Sequence, residues 1–197
     1  VQTCALPIYA DGKSGDGAGV LCSIPNTLMN RELERMGKRA VAPGELAIGM
    51  TFLPRDPRAN MRARAIIGEE LQKNNFETLA WRTVVHDPNV LGQKAIDTLP
   101  DIQQVLVARP DFISDELTFD RQLYLVRRCI ENRIRAEIAQ MPNLQGFHIP
   151  SFSCRTVVYK ALVVASQLRR FYIDLSDPDF KVSLCVFHQR YAPNTFP

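Results

Sequence analysis

A chain of 197 residues that is 46% hydrophobic and 23% charged can bury one sizeable core and is most simply read as a single domain. Its net charge of +3, with no basic run and no stripe of alternating aromatic and basic residues, gives nucleic-acid binding no support. Five cysteines at positions 4, 22, 129, 154 and 185 form no C-x-x-C pair and no zinc spacing, which points to a reducing compartment; the longest apolar run, Ala161 to Ala165, falls far short of the roughly 20 residues a membrane span needs, and no secretory signal is visible.

Val1 to Ile8 lacks an initiator methionine and reads as the translation of a short-read sequencing adapter. Residues 1–8 are therefore expected to be foreign, and the domain to span 9–197. Ala10 to Leu21 is a glycine-rich turn running into a strand. Gly12-Lys13-Ser14 does not make a phosphate loop, because that pattern needs a glycine where Pro7 stands. The dinucleotide fingerprint fails too, since Gly15 and Gly17 are followed by Val20 at the third required place. Asn26 to Met36, with Asn26 as N-cap and Gly37 as stop, predicts a short helix.

Leu46, Ile48, Met50 and Phe52 alternate with other residues and predict a strand ended by Pro54. Asp56-Pro57 has the form of a cap followed by proline at the first helical position, and Ala63, Ile66, Ile67 and Leu71 supply the apolar face. Phe76 to Val85 predicts a strand with His86-Asp87-Pro88 as its exit turn. Neighbours on an extended chain point to opposite faces, so His86 and Asp87 are not read as an acid/base pair.

Asn89 to Pro100 is irregular or one short helix, and Ile102 to Ala108 is a strand. Ser114-Asp115-Glu116 opens the clearest helix. Phe119, Leu123, Val126, Ile130, Ile134 and Ile138 line its apolar face, with Arg121, Arg127, Arg128, Arg133 and Arg135 expected to face solvent. Pro150 to Lys160 reads as a strand. Val182, Leu184 and Val186 read as one face of a core strand that ends in a polar cluster, Phe187-His188-Gln189-Arg190. The planar guanidinium of Arg190 suits a carboxylate; the residues alone leave open whether Arg190 is such an anchor or a surface arginine, and whether His188 is a ligand or a structural residue.

These elements support an α+β or α/β domain. Several ordered segments go further. His188-Gln189-Arg190-Tyr191 followed by Asn194-Thr195-Phe196-Pro197, the stretch Gly15-Asp16-Gly17-Ala18-Gly19-Val20-Leu21, and Pro150-Ser151-Phe152-Ser153-Cys154-Arg155-Thr156-Val157-Val158-Tyr159-Lys160 resemble motifs of the glutamine amidotransferase domain of the glutamate synthase large subunit. That domain is a class II, N-terminal-nucleophile amidotransferase. Ala192 and Pro193 depart from the family, which has Ser-Thr there.

The resemblance implies an α+β, four-layer αββα sandwich of the N-terminal-nucleophile hydrolase type, here incomplete. It implies that Arg190 anchors the α-carboxylate of glutamine, beside Phe187, His188 and Gln189, and that Gly15, Asp16, Gly17 and Gly19 form a turn near the site. The family's chemistry is attack by an N-terminal cysteine thiol on the glutamine amide, a thioester and release of ammonia. Cys4 is not first and lacks the Gly-Val-Gly-Phe that would follow the nucleophile, so no catalytic residue is assigned and the chain alone is expected to be inactive.

In the parent enzyme the ammonia would aminate 2-oxoglutarate in an FMN and iron–sulphur region fed by NAD(P)H or ferredoxin, and no cofactor is expected in the chain itself. The implied partners are glutamine, the remaining synthase domains and a small electron-transfer subunit, in the cytoplasm. The alternative reading is a non-catalytic binding domain on the same scaffold.

Overall fold

The computed structural model describes residues 17–189. In chain order these form β1 (Ala18–Ser23), α1 (Asn26–Arg35), β2 (Leu46–Leu53), α2 (Pro57–Lys73), β3 (Thr78–Thr83), α3 (Gln93–Asp97), β4 (Asp101–Ala108), α4 (Glu116–Glu137), β5 (His148–Ser153), β6 (Thr156–Ala161), α5 (Ala165–Phe171) and β7 (Cys185–His188). The strands make two antiparallel sheets, ordered β6-β1-β7 and β3-β4-β2-β5.

Alternation along β2 and β4 decides the layering. Leu46, Ile48, Met50, Ile102 and Leu106 point into a core between the sheets, where they meet Cys22 of β1 and Val157 and Tyr159 of β6. Ala47, Leu53, Val105 and Val107 point the other way, onto Ala63, Ile66 and Leu71 of α2 and Phe119, Leu123 and Val126 of α4. Both strands are thus buried on both faces, which is why they read as nearly continuous apolar runs. The layers are helix, sheet, sheet: an α+β arrangement in which, among the described residues, both long helices lie on the four-stranded sheet while α1 and α5 add Leu28, Leu33 and Phe171 to the core between the sheets.

Local signals place several elements. The Asp56 side chain accepts the Ala59 N–H at 2.8 Å with Pro57 at the first helical turn, and Asp115 accepts from Thr118 at 2.9 Å. Elsewhere the structure corrects the sequence. Asn26 is the first helical residue rather than the cap, with Pro25 in the cap position, and its Nδ2 donates back to the Ile24 carbonyl.

Pro150 to Lys160 is not one strand. Ser153 Oγ accepts from the N–H groups of Arg155 and Thr156 at 3.0 and 3.2 Å and donates to Asp120 Oδ1 at 2.6 Å. That turn carries the chain from one sheet to the other. The predicted core strand at Val182 to Val186 is an exposed edge instead: among the described residues β7 pairs only with β1, and Leu184 and Val186 are 50% and 58% exposed. Arg133 does not simply face solvent either, because it pairs with Glu69 and, at 2.9 Å, with Glu70 of α2. Arg62 reaches back to Glu137 of α4 at 2.6 Å, so charges lock the two long helices together.

A polar network sits inside the core between the sheets. Arg82 and Asp174, with side chains only 6% and 4% exposed, form a bidentate pair at 2.6 and 2.8 Å. Tyr159 Oη donates to Asp174 Oδ2 at 2.9 Å and accepts from Gln104 Nε2 at 3.1 Å; Arg82 also donates to Gln104 Oε1 and to Glu32. Burial opposes the charge on Arg82, yet the hydrogen bond and charge of Asp174, helped by Tyr159 and Glu32, raise its pKa. Burial, then Asp174, holds the Tyr159 hydroxyl well above its ordinary pKa, so it stays a donor.

Asp174→Asn leaves a buried guanidinium without its counter-charge and is expected to cost about 3–5 kcal/mol of stability in urea denaturation. The double change Arg82→Met with Asp174→Leu should recover much of that loss, because two apolar side chains leave no orphaned charge. A second expectation concerns acid. Arg133 lowers the pKa of Glu69, Lys73 and then Arg133 lower that of Glu70, and Arg62 lowers that of Glu137. Depressed carboxylates stabilise the fold above their unfolded pKa, and that contribution is lost as pH falls through the folded values. Denaturation midpoints should therefore drop between about pH 5 and pH 3 more steeply in the parent chain than in Arg133→Gln; equal slopes would dismiss the clamp.

Candidate functional site

The two stretches singled out near the ends of the chain meet as neighbouring strands. β1 runs antiparallel to β7, with Gly19 opposite His188, Val20 opposite Phe187, Leu21 opposite Val186 and Cys22 opposite Cys185. On its other side β1 pairs with β6, placing Lys160 opposite Gly19 and Tyr159 opposite Val20. His188, Gly19 and Lys160 therefore share one rung across three strands.

Glycine is required on that rung. A Cβ at Gly19 would lie 2.6 Å from His188 Nε2, 3.0 Å from Lys160 Cβ and 3.2 Å from the Tyr159 carbonyl oxygen, so the His188 ring occupies the space a side chain would fill. Gly17 leads into β1 at φ +116°, a conformation that side chains disfavour. Of the other expected site residues, Gln189 follows β7 directly and Phe187 is 70% exposed. Gly15, Asp16 and Arg190 lie outside the described residues.

Sequence reasoning missed the next member of this row. Lys160 Nζ lies 2.9 Å from His148 Nε2. Burial, then the charges of Lys160 and Arg127, lower the His148 pKa, while burial and Arg127 lower that of Lys160; a neutral His148 accepting from Lys160 fits both shifts. The signal available was a lysine on the period-two pattern of a strand, which is too common to single out.

A polar cleft of about 550 Å³ opens at the opposite end of β1, by the β5–β6 turn, lined by Ser23, Asn26, Glu116, Asp120, Cys154 and Lys181 among others. The thiol in its lining is held protonated: burial, then Asp120 and Glu116, push Cys154 up to about 12. Burial, then Cys185, likewise pushes Cys22 up to about 12. A cysteine that serves as a catalytic nucleophile at neutral pH needs the opposite shift. Among the described residues no group of His, Cys, Asp and Glu could hold a metal ion, and no helix is long and apolar enough to cross a membrane.

Known proteins share this sequence over nearly its whole length. The chain is 37% identical over 191 residues to the glutamate synthase [NADPH] large chain of Azospirillum brasilense, covering 96% of this chain and 12% of that protein. It is 37% identical over 189 residues to ferredoxin-dependent glutamate synthase 2 of Synechocystis, covering 95% and 11%. It is 33% identical over 190 residues to the chloroplastic ferredoxin-dependent glutamate synthase of Oryza sativa, again covering 95% and 11%. The chain thus spans about one-ninth to one-eighth of the length of these relatives. The family model described as class-II glutamine amidotransferases matches residues 7–197, and the chain belongs to that family.

Proposed function

We propose that this chain is the glutamine-binding part of the amidotransferase domain of a glutamate synthase, an enzyme that takes ammonia from glutamine and uses it to convert 2-oxoglutarate to glutamate. The observation that supports the reading is the shared rung of Gly19 and His188, which brings the glycine-rich strand against the strand that runs into Arg190. In this reading Arg190 holds the α-carboxylate of glutamine through two parallel charge-assisted hydrogen bonds. Phe187, His188 and Gln189 present the backbone and side chains beside it. Gly15, Asp16, Gly17 and Gly19 make up, in the same reading, the glycine-rich stretch beside the site, and the missing side chain at Gly19 leaves room for the His188 ring.

FMN, the iron–sulphur cluster and the site for NAD(P)H or ferredoxin belong, in this reading, to other parts of a longer protein, together with any small electron-transfer subunit. The cysteines at 22, 129, 154 and 185 do not gather into a set of ligands, and the glycines before β1 lack the dinucleotide spacing. The reading places the protein in the cytoplasm.

Calorimetric titration with glutamine tests the site. Arg190→Ala should weaken binding at least about tenfold, the loss of a charged hydrogen-bonded contact, and Arg190→Lys should recover only part of it because an ammonium cannot pair bidentately. Gly19→Val should weaken binding too, by displacing His188. Unchanged affinity in Arg190→Ala would remove the assignment.

A further inference from the structure

We propose that Cys22 and Cys185 form a reversible cross-strand disulfide that fastens the strand carrying Phe187 and His188 to the glycine-bearing strand. The two residues are direct partners in the β1–β7 register. The hydrogen-bond pattern fixes which kind of partner they are. Ser23 N–H donates to the Leu184 carbonyl at 3.1 Å and Ile24 N–H to the Arg155 carbonyl at 3.2 Å, so odd residues of β1 bond toward β7 and even residues toward β6. Cys22 and Cys185 are therefore a non-hydrogen-bonded pair, whose Cα atoms in an antiparallel ladder stand about 4.5 Å apart with side chains on one face. That separation lies inside the range a disulfide bridges.

Their surroundings divide the labour. Cys185 is exposed and Cys22 is fully buried. In the reduced form Cys22 Sγ turns toward the Val157 carbonyl at 3.8 Å, so closing the bond asks for a rotation about its Cα–Cβ bond. With glutathione disulfide as oxidant, the Cys185 thiolate attacks one sulfur and expels glutathione thiolate, leaving a mixed disulfide. Cys22, once rotated toward Cys185, attacks the Cys185 sulfur and expels the second glutathione as thiolate, which takes up the Cys22 proton. Two protein thiols are oxidised, one glutathione disulfide is reduced to two thiols, and the reverse exchange opens the bond. Because burial holds the Cys22 proton tightly, the second step is the slow one.

What the bond would do follows from β7 having a single neighbour among the described residues. An edge strand held on one side opens more readily than the strands inside a sheet, and a covalent tie to β1 would close off that opening. Among the described residues the other two cysteines do not compete for this geometry: Cys154 is buried in the cleft and Cys129 lies on α4.

The test equilibrates the reduced 197-residue chain with mixtures of glutathione and glutathione disulfide, quenches with an alkylating reagent and maps the peptides by mass spectrometry. The expected product is a peptide pair linked through Cys22 and Cys185, lost again on reduction and absent from Cys185→Ser and from Cys22→Ala. Its formation should raise the thermal midpoint by about 10 °C, since the bond closes a loop of most of the domain, and should slow amide exchange in β7; Cys185→Ser should show neither. Glutathione held on Cys185 with Cys22 still alkylated after denaturation would overturn the proposal, as would Cys185 linking to any other cysteine. The peptide readout needs no glutamine, so it stands or falls apart from the binding assignment.

Discussion

The arrangement of this domain depends on the buried pair Arg82–Asp174. An arginine 6% exposed in the gap between two sheets would be prohibitive alone, because removing a charge from water costs several kcal/mol. It persists because all three nitrogens of the guanidinium are engaged: two bonds to Asp174, one to Gln104 and one to Glu32. Those partners come from the turn after α5, from β4 and from α1, while Tyr159 joins from β6. The network thus ties both sheets to the segment that leads into β7. Arg31 of α1 extends the hold by pairing with Asp177, at 2.5 Å, and with Asp179. Three aspartates within six residues are held by two arginines, and the chain that follows them enters β7 from a fixed point.

Holding the approach to β7 matters because the strand has little of its own to hold it. All four of its residues are exposed and, among the described residues, it has one neighbour. Its position is set by the ladder to β1 and by the fit of His188 over Gly19. The platform beneath is different in kind, since β1 is paired on both sides and packs Ala18 and Cys22 into the core between the sheets. A rigid strand carrying glycines faces a lightly held strand carrying side chains. That contrast suits a binding site whose geometry comes from the backbone and whose chemistry comes from the edge.

What could be read from the sequence was what is local. The alternation in β2, the Asp56-Pro57 cap and the apolar face of α4 each follow from periodicity or capping within a few residues, and the structure has all three. The failures share a cause as well. Period two at Val182, Leu184 and Val186 says which residues share a face but not whether anything covers it. The turn at Cys154-Arg155 contains neither glycine nor proline; its signal was Ser153, whose hydroxyl takes the place of a backbone acceptor. Asp174 is paired with a residue 92 positions away, and no window along the chain contains both. The clue was Arg82 itself, at an inward position beside Leu79, Ala80 and Trp81, where a charged residue must find a partner. For the site, resemblance of short motifs named residues that no periodicity could single out, while the Lys160–His148 contact needed the two sheets brought together at the β5–β6 corner.

The uneven support of the two sheets also bears on how a small ligand would be held. Opening free energy is highest where strands are buried on both faces and lowest at a singly paired edge, so β2 and β4 report the global stability and β7 a local one. A ligand that needs β7 in place must supply the free energy of ordering it, and its apparent affinity is reduced by the fraction of molecules in which the edge is open. Anything that favours the closed edge without touching the ligand, whether the arginine clamp on Asp174 to Asp179 or a tie between the cysteines of the third rung beyond His188, raises affinity by removing that penalty. On the proposed reading, the distance between the Arg82 network and the strand that leads to Arg190 is no obstacle to an effect on binding, because the arginine clamp and the ligand would both act on the β1–β7 ladder.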